Sequence, residues 1–178
     1  PQKRERVFFC AVRNDIDVPP LKLAPTHRWI SAGEATSDLQ VLTTEEVVET
    51  APSGRDLKWW HKTKPGDSYA AAIAREESRV SCFNTIRLNG DLPACTLPSV
   101  CDQIQHWGER RRPTYREWKR LGSFPDDYHA KTDKIGKYMI GMSVPPKMTE
   151  QVARAVCEQW LNVNYSELSN DNQAKNPH

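Results

Sequence analysis

RRPTYREWKRLGSFPDDY, residues 111–128, is the stretch that decides how this chain is read. Thr114 stands where a helix N-cap belongs, and Glu117 follows three residues later. That is a capping box, in which each partner satisfies a backbone N–H that the first helical turn leaves open. The pattern predicts a helix from Thr114 to Leu121, broken at Gly122 by the turn that leads through Phe124, Pro125, Asp126 and Asp127 to Tyr128. The neighbourhood is basic: Arg110, Arg111, Arg112, Arg116, Lys119 and Arg120 face only Glu109 and Glu117. Such a patch can neutralise phosphates, and the same composition also serves a solvated helix face. Asp126 and Asp127 read as local caps rather than an acid/base pair.

Downstream, residues 138–144 are short and apolar, and Pro145-Pro146 opens a helix at the position proline tolerates best. Met148, Val152, Ala155, Val156 and Trp160 then recur at helical spacing and give that helix one apolar face. Residues 162–178 are polar and are expected to fray. Upstream, the Asn89-Gly90 pair predicts a hairpin between a strand over 83–88 and a return strand over 94–97. Asp67, after the turn at Lys64-Pro65-Gly66, is placed to cap a helix over 68–78. Thr43 to Glu46 marks another helix start, residues 32–39 allow a short helix, and Trp59-Trp60 reads as exposed. Residues 14–25 form a Pro-rich connector. Before it, the continuous apolar run VFFCAV, residues 7–12, suits a strand buried on both faces of a parallel sheet. No βαβ repeat in the chain supplies that sheet.

The chain has 178 residues, enough for one domain with a docking segment, and a net charge of only +2. No run approaches the roughly 18 apolar residues of a membrane span, and the charged start PQKRER is not a signal peptide. The five cysteines are odd in number and irregular in spacing, which points to reduced thiols in a cytoplasmic protein. Cys10 and Cys157 sit in apolar patterns and are expected in a core. Cys95, Cys101 and His106 fit no zinc spacing, so no metal is expected. A Gly-rich phosphate loop, a nucleophile elbow and an oriented Cys/His pair are all absent from the sequence.

Three boxes remain. Residues 1–7 (PQKRERV) place Gln2, Arg4 and Arg6 in a Gln-x-Arg-x-Arg box that leads into the apolar run. Residues 111–128 form the second, and residues 138–148 (YMIGMSVPPKM) the third. Pro93-Ala94-Cys95-Thr96-Leu97 lies between the first two. In this order they resemble motifs VIII, IX and X of the DNA (cytosine-5)-methyltransferases, with the Thr-Leu signature of the target recognition domain. The resemblance spans residues 1–161.

The resemblance implies an α+β chain. Residues 1–18 would give the motif VIII strand, residues 19–110 a target recognition domain of short strands and helices, and residues 111–161 motifs IX and X with a docking helix. Residues 162–178 would be a tail. The strand and the C-terminal helix would complete an α/β, Rossmann-like methyltransferase domain. It implies transfer of a methyl from S-adenosylmethionine to C5 of a flipped cytosine in double-stranded DNA, in a bacterial or phage-infected cell, as in restriction-modification. Members use a Cys in a Pro-Cys box. No cysteine here follows a proline, so that nucleophile is expected in an N-terminal part or subunit, together with most of the cofactor pocket.

Carried over residue by residue, Arg6 would face the flipped cytosine and stabilise charge developing on its ring. Arg4 would contact the DNA backbone or orient its neighbours, and Gln2 would hydrogen-bond within the site. Thr96, with Leu97, would meet a phosphate beside the target. Tyr128, Met142, Ser143 and Val144 would line the cofactor pocket, while Arg116 and Glu117 would be structural. Three departures stand out: Met142 replaces a usual Asn, Pro113 a usual Leu and Ser123 a usual Gly. Met142 removes an amide near the cofactor and leaves room for a second reading, a non-catalytic DNA-binding specificity or regulatory subunit. Methylation of an RNA is a third. For base reading, Lys58, Trp59, Trp60, Lys62 and Lys64 are candidates by composition alone.

Overall fold

The computed structural model describes residues 1–24, 28–39, 41–82 and 84–161. The expectations for the tail over 162–178 and for Phe83 lie outside those residues. The chain divides into two compact units. One joins Pro1–Glu5 to Trp29–Pro145; the other joins Arg6–Arg28 to Pro146–His178.

The first unit is built on the helix predicted from the capping box. This α5 spans Tyr115–Leu121, after α1 (Ala32–Ala35), α2 (Thr44–Glu49), α3 (Gly54–Trp59) and α4 (Tyr69–Glu77). The Thr114 hydroxyl accepts from Glu117 N–H at 3.1 Å, and the Glu117 carboxylate accepts from Thr114 N–H at 2.7 Å. The Thr43–Glu46 box caps α2 in the same way. The helix after Lys64-Pro65-Gly66 forms as α4, but Ser68 caps it rather than Asp67. Trp118 and Leu121 of α5 are fully buried against Leu88, Leu97, Ile104 and Ile140.

Ile140 belongs to α6 (Asp133–Met142), a helix that a short apolar reading of residues 138–144 missed. Its first half is polar, and Thr132 caps it by accepting from Ile135 N–H. Gly136 lets the Tyr115 ring of α5 lie against the α6 backbone, because any Cβ there would overlap that ring.

The strands correct the hairpin expectation. β1 (Ile86–Arg87) and β2 (Ile104–Gln105) pair in parallel, with Ile86 opposite Ile104. Both edges of β1 are already occupied. Arg87 O accepts from Gly66 N–H at 2.7 Å and Arg87 N–H donates to Asp67 O, while Leu88 N–H donates to Gln105 O. No backbone group is left there for a return strand. The chain does turn at Asn89, but α1 then captures it: Gly33 N–H donates to Gly90 O and Ala32 N–H to Leu92 O, each at 2.9 Å.

Trp59 and Trp60, read from sequence as exposed, are 3% and 5% exposed. Trp59 packs with Tyr69, Ala72 and Ile73 between α3 and α4. Trp60 donates its indole N–H to His106 O and carries the Arg87 guanidinium 3.6 Å over its ring. They are core residues, and this removes them as base readers.

In the second unit, α7 (Pro146–Trp160) begins at the expected proline and buries Val152 and Ala155. The Pro-rich connector lies along its end. The Gln159 amide accepts from Lys22 N–H at 2.9 Å and donates to Lys22 O at 2.8 Å, while the Trp160 indole donates to Pro19 O at 2.8 Å. The apolar run over 7–12 is no strand here: Val7 is 78% and Phe9 96% exposed, and Cys10, expected in a core, is exposed too. Among the described residues no strand pairs with this run, and without a sheet neighbour an apolar segment has no ladder to join.

Candidate functional site

Residues 1–4 are held by the segment that carries Thr96 and Leu97. Gln2 makes a parallel bridge with Ala94. Ala94 N–H donates to Pro1 O and Lys3 N–H donates to Ala94 O, both at 2.8 Å. The Thr96 hydroxyl donates to Lys3 O, also at 2.8 Å. Arg4 follows and is buried, with Nη1 donating to Leu97 O at 3.0 Å and Nη2 to Gly141 O at 2.8 Å.

One guanidinium thus joins three segments that lie far apart in sequence. Gln2, Arg4, Thr96 and Leu97 come together, and residues 142–144 begin one residue beyond the Gly141 carbonyl. Leu97 offers this site only its backbone, since its side chain is wholly within the core. Both amide atoms of Gln2 are buried and lack a hydrogen-bond partner among the described residues. Arg6 is exposed and belongs to the second unit.

Of the residues matched to the cofactor pocket, Tyr128 stands beside α6, and Met142 and Ser143 lie at the end of that helix. The Tyr128 ring tilts against Phe124 at 4.9 Å, and its hydroxyl stands 3.9 Å from the Met139 sulfur. Met142 is 62% exposed, and Ser143 at the α6 C-cap donates its hydroxyl to Ile140 O. This donor set suits a wall against an adenine or thioether. It offers no charged group for an amino-acid end, so these residues fit part of S-adenosylmethionine and not the whole. Ile135, Tyr138, Met139 and Met142 recur along α6 at helical spacing, and all are exposed.

In the basic stretch Arg110 is exposed, while most of the other cations are held by acidic partners. Arg111 meets Glu117 with two hydrogen bonds of 2.7 Å, and both are buried. Arg116 pairs with Glu46 at 2.7 Å, Arg112 with Asp102 at 2.7 Å, and Arg120 with Asp38 and Asp126. Lys119 is buried and donates to Asp126 O. Burial pushes the Glu117 carboxyl up, but the bonds and charge of Arg111 bring it below its ordinary value. His106 lies 3.5 Å from Glu117, and its Nδ1 accepts from Gly108 and Glu109 N–H. Burial, then the Arg111 charge, lowers it to about 4, so it is neutral at pH 7.

Lys58 and Lys62 lie over the Trp59 ring and pair with Glu77 and Glu76. Among the described residues no group of three His, Cys, Asp or Glu could hold a metal, and no helix is long and apolar enough to cross a membrane. Sequence reasoning missed Gly141, whose need for glycine comes from a contact with Pro98 that no local pattern announces.

The sequence is similar to those of known proteins. A type II methyltransferase of Brevibacillus brevis, M.BbvI, is 28% identical over 95% of this chain and 48% of its own length. M.AplI of Arthrospira platensis is 30% identical over 88% of the chain and 43% of its length. M.DdeI of Desulfomicrobium norvegicum is 26% identical over 96% and 54%. The chain therefore spans about half the length of the curated relatives it matches. No solved structure gives a significant match. The profile of the C-5 cytosine-specific DNA methylases matches residues 1–158, and the chain belongs to that family.

Proposed function

We propose that this chain is the DNA-recognition and active-site-completing portion of a DNA (cytosine-5)-methyltransferase that acts on double-stranded DNA. The observation that carries the reading is the convergence on Arg4 of the Gln-x-Arg-x-Arg box, the Thr-Leu segment and the end of α6. A protein that only bound DNA would have no use for the first of these. The unpaired, buried amide of Gln2 supports it, because such a group normally costs stability unless a ligand or partner completes it.

In this reading residues 1–18 give the motif VIII strand of a Rossmann-like catalytic domain, residues 19–110 read the DNA, and residues 111–161 carry motifs IX and X with the docking helix. The target base leaves the stack so that its ring can be reached. Arg6 then stabilises negative charge on the ring. Thr96 is exposed, and to meet a phosphate its hydroxyl turns from Lys3 O. S-adenosylmethionine supplies the methyl; Tyr128, Met142, Ser143 and Val144 give it one apolar wall and keep water from it.

The remainder of the cofactor site and the thiol come from an N-terminal part or subunit. Three features support that: no cysteine here follows a proline, relatives are about twice as long, and α6 presents an exposed apolar stripe. Met142, in place of the usual Asn, favours a second reading, a specificity or regulatory subunit without catalysis. Incubation of protein isolated from its source with methyl-labelled S-adenosylmethionine and unmethylated duplex DNA separates the two. Label in 5-methylcytosine is expected; DNA binding without label would leave the second reading, and label in RNA but not DNA would leave the third.

A further inference from the structure

We infer that Arg4 is the positioning residue that couples DNA binding at Thr96-Leu97 to cofactor binding at residues 142–144. The inference rests on the proposed function for what occupies each segment, but its physical basis is independent. The two acceptors of the Arg4 fork are backbone carbonyls, one in the Thr-Leu segment and one immediately before residues 142–144: Leu97 O at 3.0 Å and Gly141 O at 2.8 Å. A planar guanidinium fixes the distance and angle between two such carbonyls, which an ammonium cannot do with the same stem.

The segments also touch without Arg4. A Cβ on Gly141 would overlap the Pro98 carbonyl and come within 2.6 Å of Ser99 N. Backbone therefore lies on backbone, with no side chain between to absorb a displacement. A shift of residues 96–99 toward a phosphate is passed to the C-terminal end of α6, where Met142 and Ser143 begin. Thr96 adds a third tie through Lys3 O at 2.8 Å, one residue before Arg4. Coupling of this kind is reciprocal, so cofactor binding also tightens DNA binding.

The test uses protein isolated from its source with any companion chain, S-adenosylhomocysteine as cofactor probe and sheared unmethylated DNA. Affinity for the probe is measured with and without DNA, in the native protein, Arg4→Lys and Arg87→Lys. Arg87 also donates to backbone carbonyls, those of Trp107 and Thr63, but touches neither segment. The native protein is expected to show coupling of about 5-fold or more. Arg4→Lys brings the ratio close to one while each ligand still binds alone, and Arg87→Lys leaves the ratio intact despite lost stability.

A native ratio near one, or a ratio that survives Arg4→Lys or falls equally in Arg87→Lys, overturns the inference and leaves the proposed function standing. Failure of the native protein to bind either probe overturns both. A measurement without variants covers the case in which Arg4→Lys does not fold: DNA alone should slow amide exchange over residues 141–143, and unchanged exchange there rejects the coupling.

Discussion

Arg111 and Glu117 meet side by side, both guanidinium Nη atoms 2.7 Å from the two carboxylate oxygens, at a site all but closed to water. Breaking a buried pair typically costs about 3–5 kcal/mol, and Arg111 keeps a second partner in Glu109 at 2.6 Å, which places the loss at the lower end of that range. Glu117→Ala should lower unfolding stability by roughly that amount in urea titration. The double variant Arg111→Met/Glu117→Leu should lose less than Glu117→Ala alone. A double variant that loses the sum of both single losses would mean the pair is not coupled.

His106 makes that region sensitive to acid. Its folded pKa is about 4, below the roughly 6.5 of an unfolded histidine. Between those values the unfolded chain binds a proton that the folded chain does not, so stability falls as pH falls. The contribution is fully present above pH ~6.5 and is lost by pH ~4, on the order of 3 kcal/mol. His106→Asn keeps an acceptor near the Gly108 and Glu109 N–H groups without a titrating ring. Unfolding free energies of the two proteins should diverge between pH 7 and pH 4.5; parallel curves would remove His106 as the cause.

Gly136 is where α6 approaches the Tyr115 ring of α5. In an exposed helix, Gly→Ala gains up to about 1 kcal/mol. Here the methyl overlaps the ring, and overpacking costs about 1–3 kcal/mol. Gly136→Ala should therefore lower the melting temperature. A higher one would show that the α5–α6 contact has slack.

Thr96 ties the Thr-Leu segment to Lys3 through one hydroxyl proton. Thr96→Val keeps the shape and removes the donor, at a cost of about 1 kcal/mol. Faster amide exchange at Lys3 and Ala94 is expected, with Thr96→Ser restoring protection. Equal exchange in all three proteins would show that the backbone bonds of Ala94 hold residues 1–3 unaided.

Local chemistry was legible in the sequence where one residue type satisfies one backbone need. The caps at Thr43 and Thr114 and the helix opening at Pro146 are of that kind. What depended on distant partners was not. The Asn89-Gly90 turn exists, but whether it closes a hairpin depends on Gly66, Asp67 and Gln105, which occupy the edges of β1. Trp59-Trp60 looks exposed beside three lysines, until Tyr69, Ala72 and His106 arrive from later in the chain. The basic stretch over 110–120 reads as a surface because its acidic partners Asp38, Glu46 and Asp102 lie elsewhere. The Gln-x-Arg-x-Arg box, the Thr-Leu segment and the third box were readable as a resemblance; the meeting at Arg4 through the Leu97 and Gly141 carbonyls was not, since backbone carbonyls carry no sequence signal.

The exposed stripe of Ile135, Tyr138, Met139 and Met142 is where the proposed N-terminal part would dock. Met139→Lys/Met142→Lys should reduce binding of an apolar dye by the isolated chain and abolish its association with the proposed N-terminal part. Unchanged association would place the partner on another face.

The proposed function makes this chain half of a larger enzyme. Native mass spectrometry of the protein from its own source tests that most directly. A complex that contains the 20.4 kDa chain and a second chain with a Pro-Cys box, or one longer continuous polypeptide, is the predicted result. A stable monomer of 20.4 kDa, alone and without apolar dye binding, would contradict it.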